Sequence, residues 1–240
     1  MRERIADYCR QLKLGNNFVV NYPKITAETH EEFLARLLEL EIQHREMNRK
    51  NLYLKQANFD VIKTFKDYSL DSVEIPASIS LEDLKTAAFI EKKENLILYG
   101  QVGTGKTHMA TAIGMAAINR GKKVKFYRTA ALVTELIDAK ASGNLGKFLR
   151  QVEKTDLLIC DEWGYIPLDR QGAQLLFQVV ADCYERKSVI LTTNLEFGKW
   201  NGIFYDEKLT AAIIDRLIHH SHLIVFSGNS YRLQHSMINQ

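Results

Sequence analysis

Leu96-Ile-Leu-Tyr-Gly-Gln-Val-Gly-Thr-Gly-Lys-Thr-His-Met-Ala110 is the stretch from which the rest of the chain is read. Gly100, Gln101, Val102, Gly103, Thr104, Gly105, Lys106 and Thr107 have the G-x-x-x-x-G-K-T spacing of a phosphate-binding loop, and together with His108, which comes next, they are the candidate nucleotide-binding residues. The apolar run Leu96–Tyr99 predicts a buried strand, and Lys106 to Arg120 predicts a helix. At such a junction Gly103 and Gly105 let the backbone turn and approach a polyphosphate with no Cβ in the way. The helix N-terminus would turn its amides and the positive end of its dipole toward the anion. Lys106 is expected to reach the β- and γ-phosphates, and the Thr107 hydroxyl to ligate Mg²⁺. A glycine-rich turn with no ligand is the competing reading. Strand, loop and helix all stand where the pattern requires, which favours the nucleotide.

Downstream of this stretch, short apolar runs alternate with helical patterns. Val124–Tyr127, Leu157–Cys160, Val189–Thr192 and Leu223–Phe226 read as strands, and residues 105–120, 129–153, 169–187 and 207–220 as helices. Strict alternation predicts an α/β fold with a parallel sheet and helices on both faces. Upstream, Ser80 is expected to cap a helix running to Glu91. Phe59 to Pro76 is irregular and predicts the domain boundary. The expected organisation is a small all-helical N-terminal domain over 1–60, a linker over 61–75 and the nucleotide domain over 76–240. Within 1–60, Arg2–Leu14 reads as a helix that Gly15 can end, and Thr29-His-Glu-Glu32 as a capping box before a longer helix.

Asp161-Glu162 follows the Leu157–Cys160 strand, at the strand end where ligand sites of open parallel sheets lie. Asp161 is placed to hold Mg²⁺, and Glu162 to orient and activate an attacking water. Asn194, after the next strand, could bond that water or the γ-phosphate, although Asn is also a common turn residue. Arg216 sits in Thr210–Ile218, a helix apolar nearly all round whose only charges are Asp215 and Arg216. Such a helix is buried or packed on another subunit. Arg216 therefore either pairs with Asp215 or faces a phosphate across an interface, and the second reading is preferred.

The net charge over 240 residues is only +3, so the case for a nucleic-acid partner rests on distribution. Arg120 to Arg150 holds eight basic residues (Arg120, Lys122, Lys123, Lys125, Arg128, Lys140, Lys147, Arg150) against Glu135 and Asp138. His44 to Lys66 holds six (Arg45, Arg49, Lys50, Lys55, Lys63, Lys66) against Glu46 and Asp60. Arg45, Arg49, Lys50, Lys122, Lys123, Lys125 and Arg128 are the candidate DNA contacts; solvated helix faces and strand edges would look the same. His219, His220 and His222 have no Cys or carboxylate cluster beside them, and His near a helix C-terminus is favourable on dipole grounds, so no metal is expected there. Cys9, Cys160 and Cys183 are odd in number and widely spaced, which argues against a disulfide framework. The charged N-terminus and the lack of any span-length apolar run predict a cytoplasmic protein without a membrane partner.

Taken together, these residues resemble an AAA+ ATPase. More narrowly, Asp161-Glu-Trp-Gly-Tyr-Ile-Pro-Leu-Asp169, Leu191-Thr-Thr-Asn194, Asp215-Arg-Leu217 and Gly228-Asn-Ser-Tyr-Arg232 are similar to the IstB helper ATPases of insertion sequences, relatives of the DnaC and DnaI helicase loaders. The resemblance implies an oligomer with ATP sites shared between subunits, hydrolysing ATP with Mg²⁺, bound to double-stranded DNA and engaging a partner transposase. It implies that the helical N-terminal domain contributes to DNA binding and assembly. The family pattern is departed from at Gln101-Val102, Cys160 and Trp163, none of them a ligand position. After Phe226 fourteen residues remain, too few for the usual helical lid, and Arg232 is the nearest candidate for a lid arginine. A replicative helicase loader is the alternative within the class. A small-molecule phosphotransferase is the alternative outside it, and the Asp-Glu pair, which favours water as acceptor, speaks against that.

Overall fold

Residues alternate along the central strands between two apolar layers. Leu158, Cys160, Val189 and Leu191 enter one buried cluster, and their neighbours Leu157, Ile159 and Ile190 enter the other. A strand buried on both faces is the mark of a parallel sheet covered by helices on each side. The computed structural model describes residues 1–204 and 206–234. In chain order the elements are α1 (Arg2–Gln11), α2 (Asn16–Asn21), α3 (His30–Ala57), β1 (Val73–Glu74), α4 (Leu81–Thr86), β2 (Asn95–Gly100), α5 (Lys106–Asn119), β3 (Val124–Arg128), α6 (Thr129–Ala141), α7 (Leu145–Glu153), β4 (Leu157–Asp161), α8 (Arg170–Cys183), β5 (Ser188–Thr193), α9 (Glu207–Ile218), β6 (Ser221–Phe226) and α10 (Tyr231–Gln234).

Among the described residues six strands form one sheet in the order β1-β6-β2-β5-β4-β3. All neighbours are parallel except β1, which runs antiparallel to β6 at the edge. The phosphate-loop strand β2 is thus central, and β5 lies between it and β4, the strand that delivers Asp161. One face is covered by α4 and α5 through Leu84, Met109, Ile113 and Ala117, the other by α6 to α9 through Leu132, Leu136, Leu176, Val179, Ile213 and Leu217. Helix α5 is apolar all round and accordingly buried. The α/β fold expected from the sequence is the fold observed.

The differences are local. The helix expected over 129–153 is two helices: Asn144 N donates to the Ala139 carbonyl (2.7 Å), and Gly143 takes a left-handed φ of 71°, which ends α6 before α7 begins. The helix expected to run to Glu91 stops at Thr86, because Ala87 is left-handed (φ 53°) and a 3-10 turn over Ala88–Ile90 follows. Its N-terminus is as expected, with Ser80 and Asp83 forming a reciprocal capping box. Gly15 does not end α1. Lys13 takes the left-handed turn there (φ 55°), while Gly15 precedes α2 and donates its amide to Glu41 Oε1 (3.0 Å). Burial alone would raise the Glu41 carboxyl, but the Gly15 amide and the Arg45 guanidinium hold it below the usual range. Only half of the Thr29 box forms: Thr29 Oγ1 accepts from Glu32 N (3.1 Å), while the Glu32 carboxylate takes the Glu28 amide.

The chain divides into two compact units, Met1–Leu52 and Tyr53–Gln240, so the division falls inside α3 instead of near residue 60. The cause is packing. Ala57 is fully buried in the core of the second unit, and Tyr53, Leu54, Phe59, Phe65, Tyr68, Leu70, Val73 and Ile75 lie against that core. The segment expected as a linker is therefore packed structure. All three cysteines are buried and free. Among the described residues no helix is long and apolar enough to cross a membrane.

Candidate functional site

The loop between β2 and α5 has the backbone that its sequence demands. Gly103 and Gly105 have φ of 81° and 97°, and a Cβ on either would lie 2.2 Å from Ser230 Oγ or 2.9 Å from the Tyr68 hydroxyl oxygen. The loop is thus gripped from both sides. Tyr231 N donates to the Gly103 carbonyl (3.0 Å), and the Tyr68 hydroxyl donates to the Gly105 carbonyl (3.3 Å). Neither grip was legible in the sequence, since the partners come from the segments before β1 and after β6. Inside the loop, Thr104 Oγ1 donates to the Gln101 carbonyl (2.8 Å), and Val102 is exposed. His108 Nε2 donates to the Thr64 carbonyl (3.0 Å) and its ring lies 4.7 Å from that of Tyr68, so its side chain serves the 64–68 segment instead of the loop.

Lys106 is buried, its ammonium donating to the Gly100 and Gln101 carbonyls (2.7 Å each). Burial lowers it to about 8, against the opposing pull of Asp161, with Arg232 adding to the lowering. A cation held this way inside a ring of backbone dipoles favours a polyanion that would restore its charge.

Asp161 is buried at the end of β4 and accepts from Thr107 Oγ1 at 2.9 and 3.0 Å. The structure thus brings together the two oxygen ligands that the sequence assigned to Mg²⁺. A carboxylate beside a hydroxyl, with the Lys106 ammonium close by, is a hard-oxygen donor set that fits this ion and its phosphate ligands. The Asp161 carboxylate is also held by the Thr192 hydroxyl, and its carbonyl accepts from Thr129 Oγ1 (2.8 Å).

Glu162 stands next to it, exposed, with a left-handed φ of 57°. That backbone costs a non-glycine residue on the order of 1 kcal/mol and persists only where its surroundings enforce it. Thr192 does so from both sides: its Oγ1 accepts from Glu162 N (3.0 Å), and its carbonyl accepts from Trp163 N (2.8 Å). Thr192 is the residue that sequence reasoning passed over, having weighed only Asn194 in Thr192-Thr-Asn194. Trp163, an apparent departure from the family pattern, is fully buried against Trp200 and Phe204 (centroids 5.7 and 5.6 Å) and anchors the strand end. Asn194 follows β5, and its Oδ1 is buried with no hydrogen-bond partner among the described residues. A buried amide oxygen without a partner is a poor turn device and a suitable acceptor for a water.

Arg216 lies elsewhere. It is half-buried on α9, donates Nη1 to the Ala212 carbonyl (2.9 Å) and stacks on Phe177 of α8 (5.1 Å). No ion pair joins it to Asp215 among the described residues, and neither Ala212 nor Phe177 belongs to the phosphate site. Most of the candidate DNA contacts are engaged. Arg45 is paired with Glu41 and the Lys13 carbonyl (2.7 Å each), Lys122 with Glu91 (2.6 Å) and Arg128 with Asp60 (2.7 Å). Lys123 lies over Tyr53, and Lys125 over Tyr127 with a bond to the Gln56 carbonyl (3.2 Å). Arg49 and Lys50 have no polar partner among the described residues.

The sheet order, the loop between β2 and α5, and the carboxylates ending β4 define a P-loop domain of the AAA+ class. Solved structures agree on the fold: DnaI aligns with a TM-score of 0.54 at 20% identity, covering 71% of this chain and 90% of that one. AMPPCP-bound DnaA from Aquifex aeolicus aligns with a TM-score of 0.53 at 21% identity over 70% of this chain, which spans about half (53%) of that DnaA. The family described as IstB-like ATP binding protein matches residues 18–238, and the chain belongs to that family. Among its relatives, a protein of insertion sequence IS5376 from Geobacillus stearothermophilus, described as ATP-binding, is 38% identical over 100% of this chain and 98% of its own length. A similarly described IS21 protein from Pseudomonas aeruginosa is 37% identical over 85% of this chain and 77% of its own.

Proposed function

We propose that this chain is an ATP-hydrolysing helper of transposition that oligomerises on duplex DNA and engages a partner transposase. The convergence of Lys106, Thr107 and Asp161 at one end of β2 and β4 is the observation that carries the nucleotide reading. Full-length similarity to an insertion-sequence protein is what favours transposition over helicase loading.

In this reading Gly100–Thr107 binds the phosphates through backbone amides and the Lys106 ammonium, while Thr107 and Asp161 hold Mg²⁺. The ion, when bound, neutralises charge building on the β- and γ-phosphates. Glu162 accepts a proton from the attacking water, and Asn194 orients that water. As the water oxygen bonds to the γ-phosphorus, the bond to the ADP oxygen breaks, and Arg216 of an adjoining subunit stabilises the charge that develops. The separation of Arg216 from its own subunit's phosphate residues supports its use in trans.

The test is a pair of variants measured for nucleotide affinity and for phosphate release with DNA present. Glu162→Gln should bind ATP like the wild type and lose turnover, since only water activation is removed. Lys106→Ala should lose binding. A Glu162→Gln protein that hydrolyses at the wild-type rate would remove Glu162 from the mechanism.

A further inference from the structure

Outside the phosphate site, one group of side chains has the composition of a metal ligand set. Tyr184 and Glu185 leave the end of α8, and His219 and His220 leave the end of α9. The packing of α9 on α8 brings the two exits together. One carboxylate oxygen of Glu185 and one ring nitrogen each of His219 and His220 lie within 4.8 Å of one another. Glu185 Oε1 is 3.4 Å from His220 Nε2, and the two imidazole centroids are 4.1 Å apart. The sequence pattern alone gave these histidines no carboxylate. The fold supplies one from 35 positions earlier in the chain. His222, the third of the run, turns away to Ser78 (2.8 Å) and Glu94 (3.2 Å).

We propose that Glu185, His219 and His220 form a surface site for a borderline-soft divalent cation, zinc foremost, with a fourth position left to water or an outside donor. Two imidazoles and one carboxylate select zinc and its neighbours, whereas a set of carboxylates alone would select magnesium or calcium. Three protein ligands with one open position is an established zinc arrangement. Bonds of about 2.0–2.1 Å place tetrahedral ligand atoms roughly 3.3 Å apart, so the Glu185–His220 pair already has the required spacing. The other ligand atoms lie within 4.8 Å of one another, and all three residues are exposed.

The surroundings are arranged for the same end. The Tyr184 hydroxyl lies 3.0 Å from His219 Nδ1, the outer contact that fixes a ligand imidazole and leaves its other nitrogen for the metal. The His220 carbonyl accepts the Asn95 amide (2.7 Å), tying the histidine turn to the start of β2. The C-terminal end of α9 favours a cation through its dipole. No thiol competes, because the three cysteines are buried. A bound ion would clip the end of α8 to the end of α9, the helix that carries Arg216.

The experiment uses the untagged, chelator-stripped full chain titrated with Zn²⁺ against a chromophoric zinc indicator. One equivalent should bind at micromolar zinc in the presence of millimolar Mg²⁺, and it should raise the unfolding temperature. His219→Ala, His220→Ala and Glu185→Gln should each weaken that equivalent by at least about tenfold, and Tyr184→Phe by about tenfold, as outer partners do. His30→Ala, on a different unit, should leave it unchanged. Co²⁺ should give the visible bands of a tetrahedral site in the wild type and not in His219→Ala. A metal-free unfolding temperature equal to the wild type's certifies that each variant is folded; for any that falls short, the closer replacements His219→Gln and His220→Gln are read instead, with the same loss of the Co²⁺ bands expected. A wild type that takes up no zinc under these conditions, or a His219→Ala/His220→Ala protein that binds it as tightly, would overturn the site.

Discussion

At the scale of single residues, two groups set the chemistry and each makes a prediction. Lys106 titrates near 8 because burial disfavours its charge, and a bound polyphosphate would favour that charge. The free protein therefore releases a proton as the pH passes through about 8, while the bound form keeps it to higher pH. Nucleotide affinity should be flat below this pH and fall above it, and binding near pH 8.5 should take up a proportion of a proton. Calorimetry in two buffers of different ionisation enthalpy measures that uptake; identical heats in both would show that Lys106 is already fully charged in the free protein. Thr192 is the second group. One hydroxyl restrains both the Asp161 carboxylate and the left-handed Glu162 backbone. Each bond contributes about 1 kcal/mol, so Thr192→Val should lower kcat roughly tenfold or more. ATP affinity should change much less, and Thr192→Ser, which keeps the hydroxyl, should recover most of the rate. Wild-type turnover in the Val protein, which keeps a methyl and lacks only the hydroxyl, would show that the hydrogen bonding does not matter.

At the scale of elements, what could be read from sequence was what local pattern encodes. The strand β2, its loop and α5 are contiguous, and each residue type there answers to a backbone or phosphate requirement within a few positions. The same holds for Asp161-Glu162 at the end of β4. What was missed depends on contacts far apart in sequence: Tyr68 and Ser230 against the phosphate loop, Glu185 beside His220, and Tyr53 to Ala57 packed on the nucleotide domain. Strand β1, of two residues, is too short to show a period. Charge runs were the least informative, because the pattern does not say which lysines have partners. Lys122 and Arg128 are held by Glu91 and Asp60, whereas Arg49 and Lys50 on α3 have no such carboxylate among the described residues. Exposed pairs are worth little, so pairing does not forbid phosphate binding, but it lowers the gain. Arg49→Ala/Lys50→Ala should therefore weaken duplex DNA binding equally across sequences and reduce the salt slope by about 0.9 for each phosphate no longer neutralised. Lys122→Ala should do less. An unchanged slope in the double variant would return the α3 residues to the role of a solvated helix face.

At the scale of the whole molecule, the position of Arg216 is what most constrains how the protein could work. A guanidinium that stacks on Phe177 and bonds its own helix has no recorded contact with Lys106, Thr107, Asp161 or Glu162 of its own subunit among the described residues. If it acts on nucleotide, it acts on a neighbour's, and a complete site then needs two chains. A trans arginine contributes roughly 10³–10⁵ in rate in related phosphate-loop enzymes. Arg216→Ala should thus abolish turnover and spare ATP binding, as Glu162→Gln should. The two inactive proteins differ in which half of the site they lack. In a mixed oligomer an Arg216→Ala subunit keeps its own Glu162 and can take the arginine of a Glu162→Gln neighbour, so mixing should restore part of the activity. An arginine acting in cis allows no such rescue, because neither subunit then holds both groups. Subunits must exchange for the test to be fair, so the mixture is assembled from monomers before DNA and ATP are added, and co-assembly is verified by pull-down of one tagged variant with the other. Confirmed mixed oligomers that stay inactive at every ratio would show that the arginine is not shared, and would return Arg216 to a structural role between α8 and α9.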